Sequence, residues 1–126
     1  MAAQKSVAER LQVKGSRRLA VLNAPAALDS QIGGKDARAT AKTADVVLLF
    51  VQSQRELDKK LGPTVKAMSK DAIFWLAYPK LTSALAGDLN RDLIRALAPD
   101  HGLDTVAQIA IDDDWSALRL KRVPSK

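Results

Sequence analysis

Six residues of this sequence carry side chains suited to holding a small polar molecule. Amide, hydroxyl and ammonium groups bind anions through hydrogen bonds and charge, and aromatic rings supply flat packing surfaces. Lys80 follows an apolar segment and precedes Thr82 and Ser83, which is a favourable position for an anionic group. The candidate ligand-binding residues are Asn23, Pro25, Ser53, Tyr78, Lys80 and Trp115.

Each candidate also has a purely structural interpretation. Asn23 precedes Pro25 at a spacing typical of a helix cap, and Ser53 has the same role available before an apolar stripe. A serine nucleophile needs a general base, and His101 is the single histidine of the chain. The two aromatic side chains can pack in the core, and Lys80 can be a solvated charge. The sequence therefore predicts no catalytic residue.

Metal chemistry has little support in the sequence. The chain contains no cysteine, which excludes disulfides, thiolate zinc sites and cysteine nucleophiles. Three consecutive aspartates occupy positions 112–114. Because adjacent carboxylates rarely point at one ion, these aspartates indicate a hydrated turn, and we predict no metal site.

Two apolar segments must position the candidate residues. In residues 44–51, Asp45 is followed by six consecutive apolar residues, and residues 72–78 read AIFWLAY. Runs of this length and continuity are typical of parallel strands that helices cover on both faces. The carboxyl ends of such strands meet at one edge of the sheet, where ligands bind. This edge would bring Asn23, Tyr78, Lys80 and Trp115 into one small pocket.

The remaining pattern alternates strands with helices and ends in a hairpin. Gly62 and Pro63 are expected to break or restart the helix that follows the central strand. Residues 35–43 are polar and small and predict a loop or a poor edge strand. The sequence predicts helices at 6–11, 26–32, 53–70 and 88–97, and further strands at 18–23, 105–111 and 115–123. Together these elements indicate one α/β domain, residues 1–126, with a mostly parallel, doubly wound sheet and a C-terminal antiparallel hairpin.

The sequence resembles the Rossmann-like fold of class I methyltransferases. Residues 13–22 (VKGSRRLAVL) are similar to the entry into its first strand, and ADVVLLF and AIFWLAY to its fourth and fifth strands. More closely, VLNAP, ADVVLLFV, YPK and IDDDWSALRL resemble a family of small bacterial proteins described as a domain of unknown function. This resemblance covers nearly the whole chain and implies a reduced version of the fold.

Three differences from true methyltransferases disfavour S-adenosylmethionine as a cofactor. The turn after the first strand, residues 23–28, contains no glycine, although the cofactor needs close approach to the backbone there. The acidic residue that holds the ribose is replaced by a region in which Asp36 is a weak candidate. Residues 51–54 read VQSQ where amino-group methyltransferases carry an Asn/Asp-Pro-Pro-aromatic motif. The cofactor therefore stays unknown.

The charge of the protein is uneven. Its formal net charge is +6, and residues 1–42 contain eight Lys or Arg against three Asp or Glu. No aromatic stacking residue accompanies these cations, which disfavours nucleic acid as a partner. No stretch approaches the length of a membrane helix or resembles a signal peptide, so we expect a cytoplasmic protein without membrane contact. An exposed sheet edge can pair with a second copy of the chain, so a homodimer is also a possible assembly.

Three functions fit these observations. The favoured one is a non-enzymatic module that binds a small anionic or nucleotide-like ligand, or has a regulatory role, on a degenerate methyltransferase-like fold. The first alternative is a transferase that uses S-adenosylmethionine through an altered cofactor site. The second is an interaction module that contacts protein or nucleic acid through its basic N-terminal third.

Overall fold

The computed structural model describes residues 11, 13, 17–25, 28, 32, 38–69, 71–84, 86–112 and 114–123. These residues form a five-stranded sheet, two α-helices and a short 3-10 helix. In chain order the elements are β1 (Leu19–Leu22), β2 (Val46–Phe50), α1 (Gln54–Ala67), β3 (Ile73–Pro79), α2 (Arg91–Leu97), the 3-10 helix (Ala98–His101), β4 (Leu103–Ala110) and β5 (Trp115–Arg122). The predicted α/β class is therefore confirmed.

The sheet is mixed, with the strand order β1-β2-β3-β5-β4. β1, β2 and β3 pair in parallel, whereas β5 is antiparallel to both of its neighbours. The C-terminal hairpin is thus confirmed. The predicted mostly parallel sheet is correct only in part, because inserting β5 between β3 and β4 makes two of the four strand pairings antiparallel.

Both faces of the two central strands are buried, as the continuous apolar runs predict. On one face, Val47 and Leu49 pack with Phe74, Leu76 and Tyr78 under the helices. The opposite face is formed by Val46, Leu48, Phe50, Trp75 and Ala77. Successive side chains of a strand point to opposite faces, so each strand contributes to two cores. Tyr78 therefore belongs to the helix-covered face.

The second face also contains residues from the N-terminal part of the chain. Leu11, Leu28 and Ile32 are buried there, and the indole nitrogen of Trp75 donates a hydrogen bond to the carbonyl oxygen of Leu11 at 3.0 Å. Most of the predicted helices at 6–11 and 26–32 lies outside the described residues. The described side chains still show that apolar residues from this part of the chain cover the second face.

α1 passes through Gly62 and Pro63 without interruption, so the predicted break at these residues is wrong. Pro63 has no N–H to donate to the carbonyl of Lys59, four residues earlier. Lys59 and Pro63 are exposed, so water can reach that carbonyl and the helix continues. Leu57, Leu61 and Thr64 form the buried side of α1.

α2 begins three residues later than predicted. The Asn90 side chain accepts a hydrogen bond from the backbone nitrogen of Leu93 at 2.8 Å, which makes Asn90 the N-cap. The Asp88 carboxylate instead accepts from the backbone nitrogen of Gln54 at 2.8 Å. Asp88 therefore connects the loop before α2 to the first turn of α1.

The polar region predicted as a loop or a poor edge strand makes one strand-like contact among its described residues. Arg38 forms an isolated parallel bridge with Leu19, and the Ala39 nitrogen donates to the Leu19 carbonyl at 2.8 Å. A turn then leads to Val46, whose nitrogen bonds the carbonyl of Arg18 at 3.0 Å. Among the described residues, no helix is long and apolar enough to cross a membrane.

Candidate functional site

Asn23 connects the ends of two parallel strands. It follows β1 with a φ of 61°, in the left-handed region, and its side-chain nitrogen donates to the Phe50 carbonyl at 2.9 Å. An N-cap residue has extended backbone, so this φ excludes the cap role considered for Asn23. Asparagine tolerates left-handed backbone better than most residues other than glycine. Asn23 thus adopts a conformation that glycine also favours.

Ser53 is a helix cap. Its hydroxyl accepts a hydrogen bond from the Glu56 nitrogen at 3.1 Å, and the Glu56 carboxylate accepts from the Gln52 nitrogen at 2.8 Å. The Asp88 carboxylate accepts from the backbone nitrogen of Gln54, the first residue of α1. Because these donors already have partners within the protein, the start of α1 is not an open anion site.

Pro25 and Trp115 lie at a small cleft between the ends of β1 and β2. We call it the β1–β2 cleft; it has a volume of about 240 Å³, and Asn23, Pro25, Phe50, Gln52 and Trp115 line it. The Trp115 ring meets the Phe50 ring edge to face, with centroids 5.1 Å apart. Trp115 is buried, so its main contribution is packing at the base of this cleft.

Tyr78 and Lys80 line a separate polar pocket of about 550 Å³, together with Arg91, Gln108 and Ser116. We call it the Tyr78 pocket. The Gln108 amide donates to the Tyr78 hydroxyl at 3.2 Å, and Ser116 lies opposite Tyr78 in the β3–β5 register. The backbone nitrogen of Lys80 donates a hydrogen bond to the Asp114 carbonyl at 2.8 Å, which fixes the turn. The Lys80 side chain is not needed for this bond and lines the pocket.

The six candidate residues therefore do not share one cavity. Asn23, Pro25 and Trp115 meet at the β1–β2 cleft, whereas Tyr78 and Lys80 lie in the Tyr78 pocket. Asn23 and Ser53 also line a larger groove beside α1. The reason is the pleat: Trp115 pairs with Pro79, the neighbour of Tyr78, and therefore points to the opposite face of the sheet.

The hairpin turn is held by its own aspartates. Asp112 accepts hydrogen bonds from the backbone nitrogens of Asp114 and Trp115, both at 2.8 Å. The Asp114 carboxylate accepts from the Ser83 hydroxyl at 2.8 Å. Hydrogen bonds of this kind are typical of an Asx turn, and here they also connect the hairpin to the loop after β3.

Burial raises the pKa of Tyr78 above the usual value for tyrosine of about 10. The nearby positive charge of Arg91 and a hydrogen bond with Ser116 act in the opposite direction, and the Asp92 carboxylate adds to the rise. At neutral pH the phenol is protonated. It can therefore donate a hydrogen bond to an anion and is not a base.

A titration of the phenol checks this assignment. Tyr78 is the single tyrosine of the chain, so absorbance at the phenolate band reports on it alone. We expect a midpoint above pH 10 in the folded protein, with folding monitored by circular dichroism. The unfolded chain loses this proton first, so the free energy of unfolding decreases above pH 10 by up to about 1.4 kcal/mol per pH unit from this group.

Tyr78→Phe supplies the reference for that experiment. The variant lacks the ionisable group, so its free energy of unfolding should fall less steeply with pH above 10 than that of the unsubstituted protein. Lysine titration contributes equally to both proteins and cancels in the difference. A phenol midpoint at or below 10, or identical pH profiles, would contradict the buried environment of Tyr78.

Several residues of the Tyr78 pocket are not among the sequence candidates. Arg91, Gln108 and Ser116 come from α2, β4 and β5, and Leu81 at the pocket is 69% exposed. Ser116 carries only a partial signal, because counting from the hairpin turn pairs it with Ala110 of β4, whereas its pairing with Tyr78 depends on the register between β3 and β5. Arg91 carries no such signal, since its position depends on where α2 begins.

Comparison with known proteins gives the family. The family model described as "Protein of unknown function (DUF3052)" matches residues 23–124. The chain belongs to this family. The match includes all six candidate residues and every strand except β1, and it confirms the resemblance to a domain of unknown function. No curated protein matches the chain.

Solved structures show the fold of the family member described here. A ribosomal protein L11 methylase from Lactobacillus delbrueckii subsp. bulgaricus superposes with a TM-score of 0.58 at 14% identity, covering 94% of this chain and 75% of that one. The mitomycin 7-O-methyltransferase MmcR gives 0.57 at 12% identity, covering 85% and 49%. A putative type 11 methyltransferase from Sulfolobus solfataricus gives 0.51 at 16% identity, covering 86% and 73%.

These neighbours have Rossmann-like folds of the class I methyltransferase kind, which confirms the fold that the sequence resemblance implies. The chain spans about half the length of MmcR. At identities of 12 to 16% the likeness concerns the fold alone, and function has to be argued from the site.

Proposed function

We propose that this protein is a non-enzymatic module that binds a small anionic or nucleotide-like molecule in the Tyr78 pocket. The observation that carries the proposal is the arrangement of groups around the cavity. Lys80 and Arg91 supply two cationic side chains, and Tyr78, Gln108 and Ser116 supply hydrogen-bonding groups. A phosphate or carboxylate group would bind the cations and accept a hydrogen bond from the protonated phenol.

The size and charge of the pocket support this ligand class. Its volume of about 550 Å³ is within the usual range of small-molecule sites, roughly 300 to 1,000 Å³. Asp92 is the one carboxylate among the described residues that line it, and it lies 3.8 Å from the Arg91 guanidinium. The lining therefore keeps a positive balance.

The groups available for catalysis support a binding role. His101, the single histidine, lies at another surface beside Gly62 and Arg122. Ser53 is engaged as a helix cap, and the raised pKa of Tyr78 makes its phenolate a minor form at neutral pH. These residues offer a ligand hydrogen bonds and charge, and they do not form a nucleophile and base pair.

An S-adenosylmethionine-dependent transferase with an altered cofactor site is the alternative, and the fold of the neighbours favours it. One of them, LepI, has a structure described as a complex with SAM. Against it, the β1–β2 cleft of about 240 Å³ is smaller than the usual range of ligand pockets, roughly 300 to 1,000 Å³. Asn23 also uses its amide to bond Phe50 there. Calorimetric titration with S-adenosylmethionine and S-adenosylhomocysteine distinguishes the two functions.

Replacement of Lys80 by Ala tests the proposed function. Melting temperatures would be measured with inorganic phosphate, adenine and guanine nucleotides, and small carboxylates. A ligand at ten times its Kd adds about 1.4 kcal/mol and raises the Tm of a domain of this size by about 5 °C. We expect at least one compound to stabilise the unsubstituted protein in this way and to lose most of the effect in Lys80→Ala.

Two further variants control for charge and stability. Lys42→Ala removes an exposed lysine from a turn away from the pocket and should respond to the ligand like the unsubstituted protein. Lys80→Arg keeps the positive charge and should keep part of the response. Equal responses from Lys80→Ala and the unsubstituted protein across the panel would exclude a ligand at this pocket.

A further inference from the structure

A second cavity lies on the helix-covered face, beside the end of β1. We call it the β1–α1 groove; its volume is about 700 Å³. The half-buried Leu22 and the fully buried Leu49 line it from β1 and β2, and α1, with the exposed Pro63, forms the adjoining wall. The groove is separate from the Tyr78 pocket, and the two have no lining residue in common among those that the structure describes.

The groove follows from the short connection that leads into β2. Arg38 lies beside β1 on the side away from β2, and the chain returns to Val46 through a tight turn next to Arg18. Parallel strands are usually joined by a crossover of a dozen or more residues that contains a helix. The segment between Arg38 and Val46, residues 39–45, is too short for one. Within the described part of the chain, no helix therefore covers the end of β1 on this face.

The α1 wall of the groove is basic. Arg55, Lys59 and Lys60 line it, whereas Glu56, the one carboxylate among the described lining residues, accepts a hydrogen bond from the Gln52 nitrogen at 2.8 Å. Arg55 and Lys59 are four residues apart, a spacing at which like charges on a helix destabilise it. The structure contains no ion pair between these three cations and another described residue. An acidic partner would relieve this repulsion.

The length of the groove suits a helix. Its lining extends along α1 from Ser53 to Thr64, which corresponds to about 16 Å, or three helical turns, at 1.5 Å per residue. We propose that the β1–α1 groove binds an acidic amphipathic helix of a partner protein. Apolar side chains spaced three and four residues apart would pack on the half-buried Leu22 and the exposed Pro63, and acidic side chains would face Arg55, Lys59 and Lys60.

Charge distinguishes this partner from other occupants. A symmetric dimer through the groove would place the three cations of one copy near those of the other, at a considerable cost in repulsion. Nucleic acid would satisfy the cations and leave Leu22 and Pro63 without an apolar partner, since no aromatic side chain among the described residues lines the groove for base stacking. An acidic amphipathic helix matches both these apolar side chains and the cations.

Titration with designed peptides, followed by NMR of the ¹⁵N-labelled full chain, tests the proposal. The probe is a helical peptide of about 14 residues with leucines on one face and glutamates on the other, enough for the three turns of the groove. One matched peptide carries lysine in place of glutamate, and another carries glutamine in place of leucine. We expect the acidic amphipathic peptide to shift the signals of β1 and α1 and the other two to bind far more weakly.

Charge reversal in the protein completes the test. Lys59→Glu combined with Lys60→Glu should weaken binding of the acidic peptide by about tenfold or more, because two attractive contacts become repulsive. Lys66→Glu changes an exposed lysine of the same helix that does not line the groove, and it should bind normally. Added salt should weaken binding to the unsubstituted protein.

The proposal would be overturned if the acidic peptide did not shift the signals of β1 and α1, or if the acidic and basic peptides bound equally well. It would also be overturned if the double variant and Lys66→Glu lost equal affinity for the peptide. Binding of single-stranded RNA at the same signals with no peptide binding would also overturn it. Lys80→Ala should bind the peptide normally, so failure of the groove and failure of the Tyr78 pocket are separate results.

Discussion

Replacing Trp75 by Ala is expected to lower the free energy of unfolding by about 3 to 5 kcal/mol. Trp75 lies in the middle of β3, is 2% exposed and packs in the core of the second face. Its removal leaves a cavity the size of an indole and also leaves the carbonyl of Leu11 without the bond at 3.0 Å. Domains of this size are stable by roughly 5 to 15 kcal/mol, so the loss is a large part of the total.

Urea unfolding followed by circular dichroism measures this effect. One further variant separates the hydrogen bond from the apolar volume, and another serves as a control. Trp75→Phe keeps much of the apolar volume and removes the hydrogen bond to Leu11, so we expect a loss of about 1 to 2 kcal/mol. Val123→Ala changes an exposed residue and should stay within about 0.5 kcal/mol of the unsubstituted protein. A loss below 1 kcal/mol in Trp75→Ala would show that the N-terminal residues do not pack on this face.

The sequence predicts the centre of this fold well because local pattern determines it. The apolar runs around Val46–Phe50 and Ile73–Pro79 fit strands buried on both faces, and both are central strands. The hairpin of β4 and β5 follows from its short turn. Fold class therefore depends on features that a few neighbouring residues carry.

The candidate site was predicted less completely because it depends on register and on contacts distant in sequence. Asp88 reaches Gln54 across 34 residues, and neither residue signals this contact. The separation of Tyr78 from Trp115 is a consequence of pleating, which alternates faces along β3 and passes to β5 through the pairing of Pro79 with Trp115. A one-residue change of register would place Trp115 on the face of Tyr78.

Asn23 adopts the left-handed backbone that is expected of a glycine at this turn. Methyltransferases are expected to have glycine in the turn after the first strand, and its absence disfavours the cofactor. The asparagine nevertheless takes a φ of 61° and closes the gap to β2 with its amide. The turn thus keeps a glycine-like backbone while the Asn23 side chain is used for a structural hydrogen bond.

Substitutions of Asn23 separate these two contributions. Asn23→Ala is expected to lower the free energy of unfolding by about 2 to 3 kcal/mol, since left-handed backbone costs alanine about 1 to 2 kcal/mol and the lost hydrogen bond about 1 kcal/mol. Asn23→Gly removes only the hydrogen bond and adds a small entropic cost from the flexible unfolded chain, so we expect a loss of about 1 kcal/mol.

Chemical denaturation of both variants, with the m value checked for constancy, gives the comparison. The difference between Ala and Gly measures the backbone strain, and the difference between Gly and the unsubstituted protein measures the bond to Phe50 with the entropic cost of glycine. Equal stability of the Ala and Gly variants would mean that position 23 has no left-handed backbone in solution. A Gly variant as stable as the unsubstituted protein would mean that the Asn23 amide does not hold the ends of β1 and β2 together.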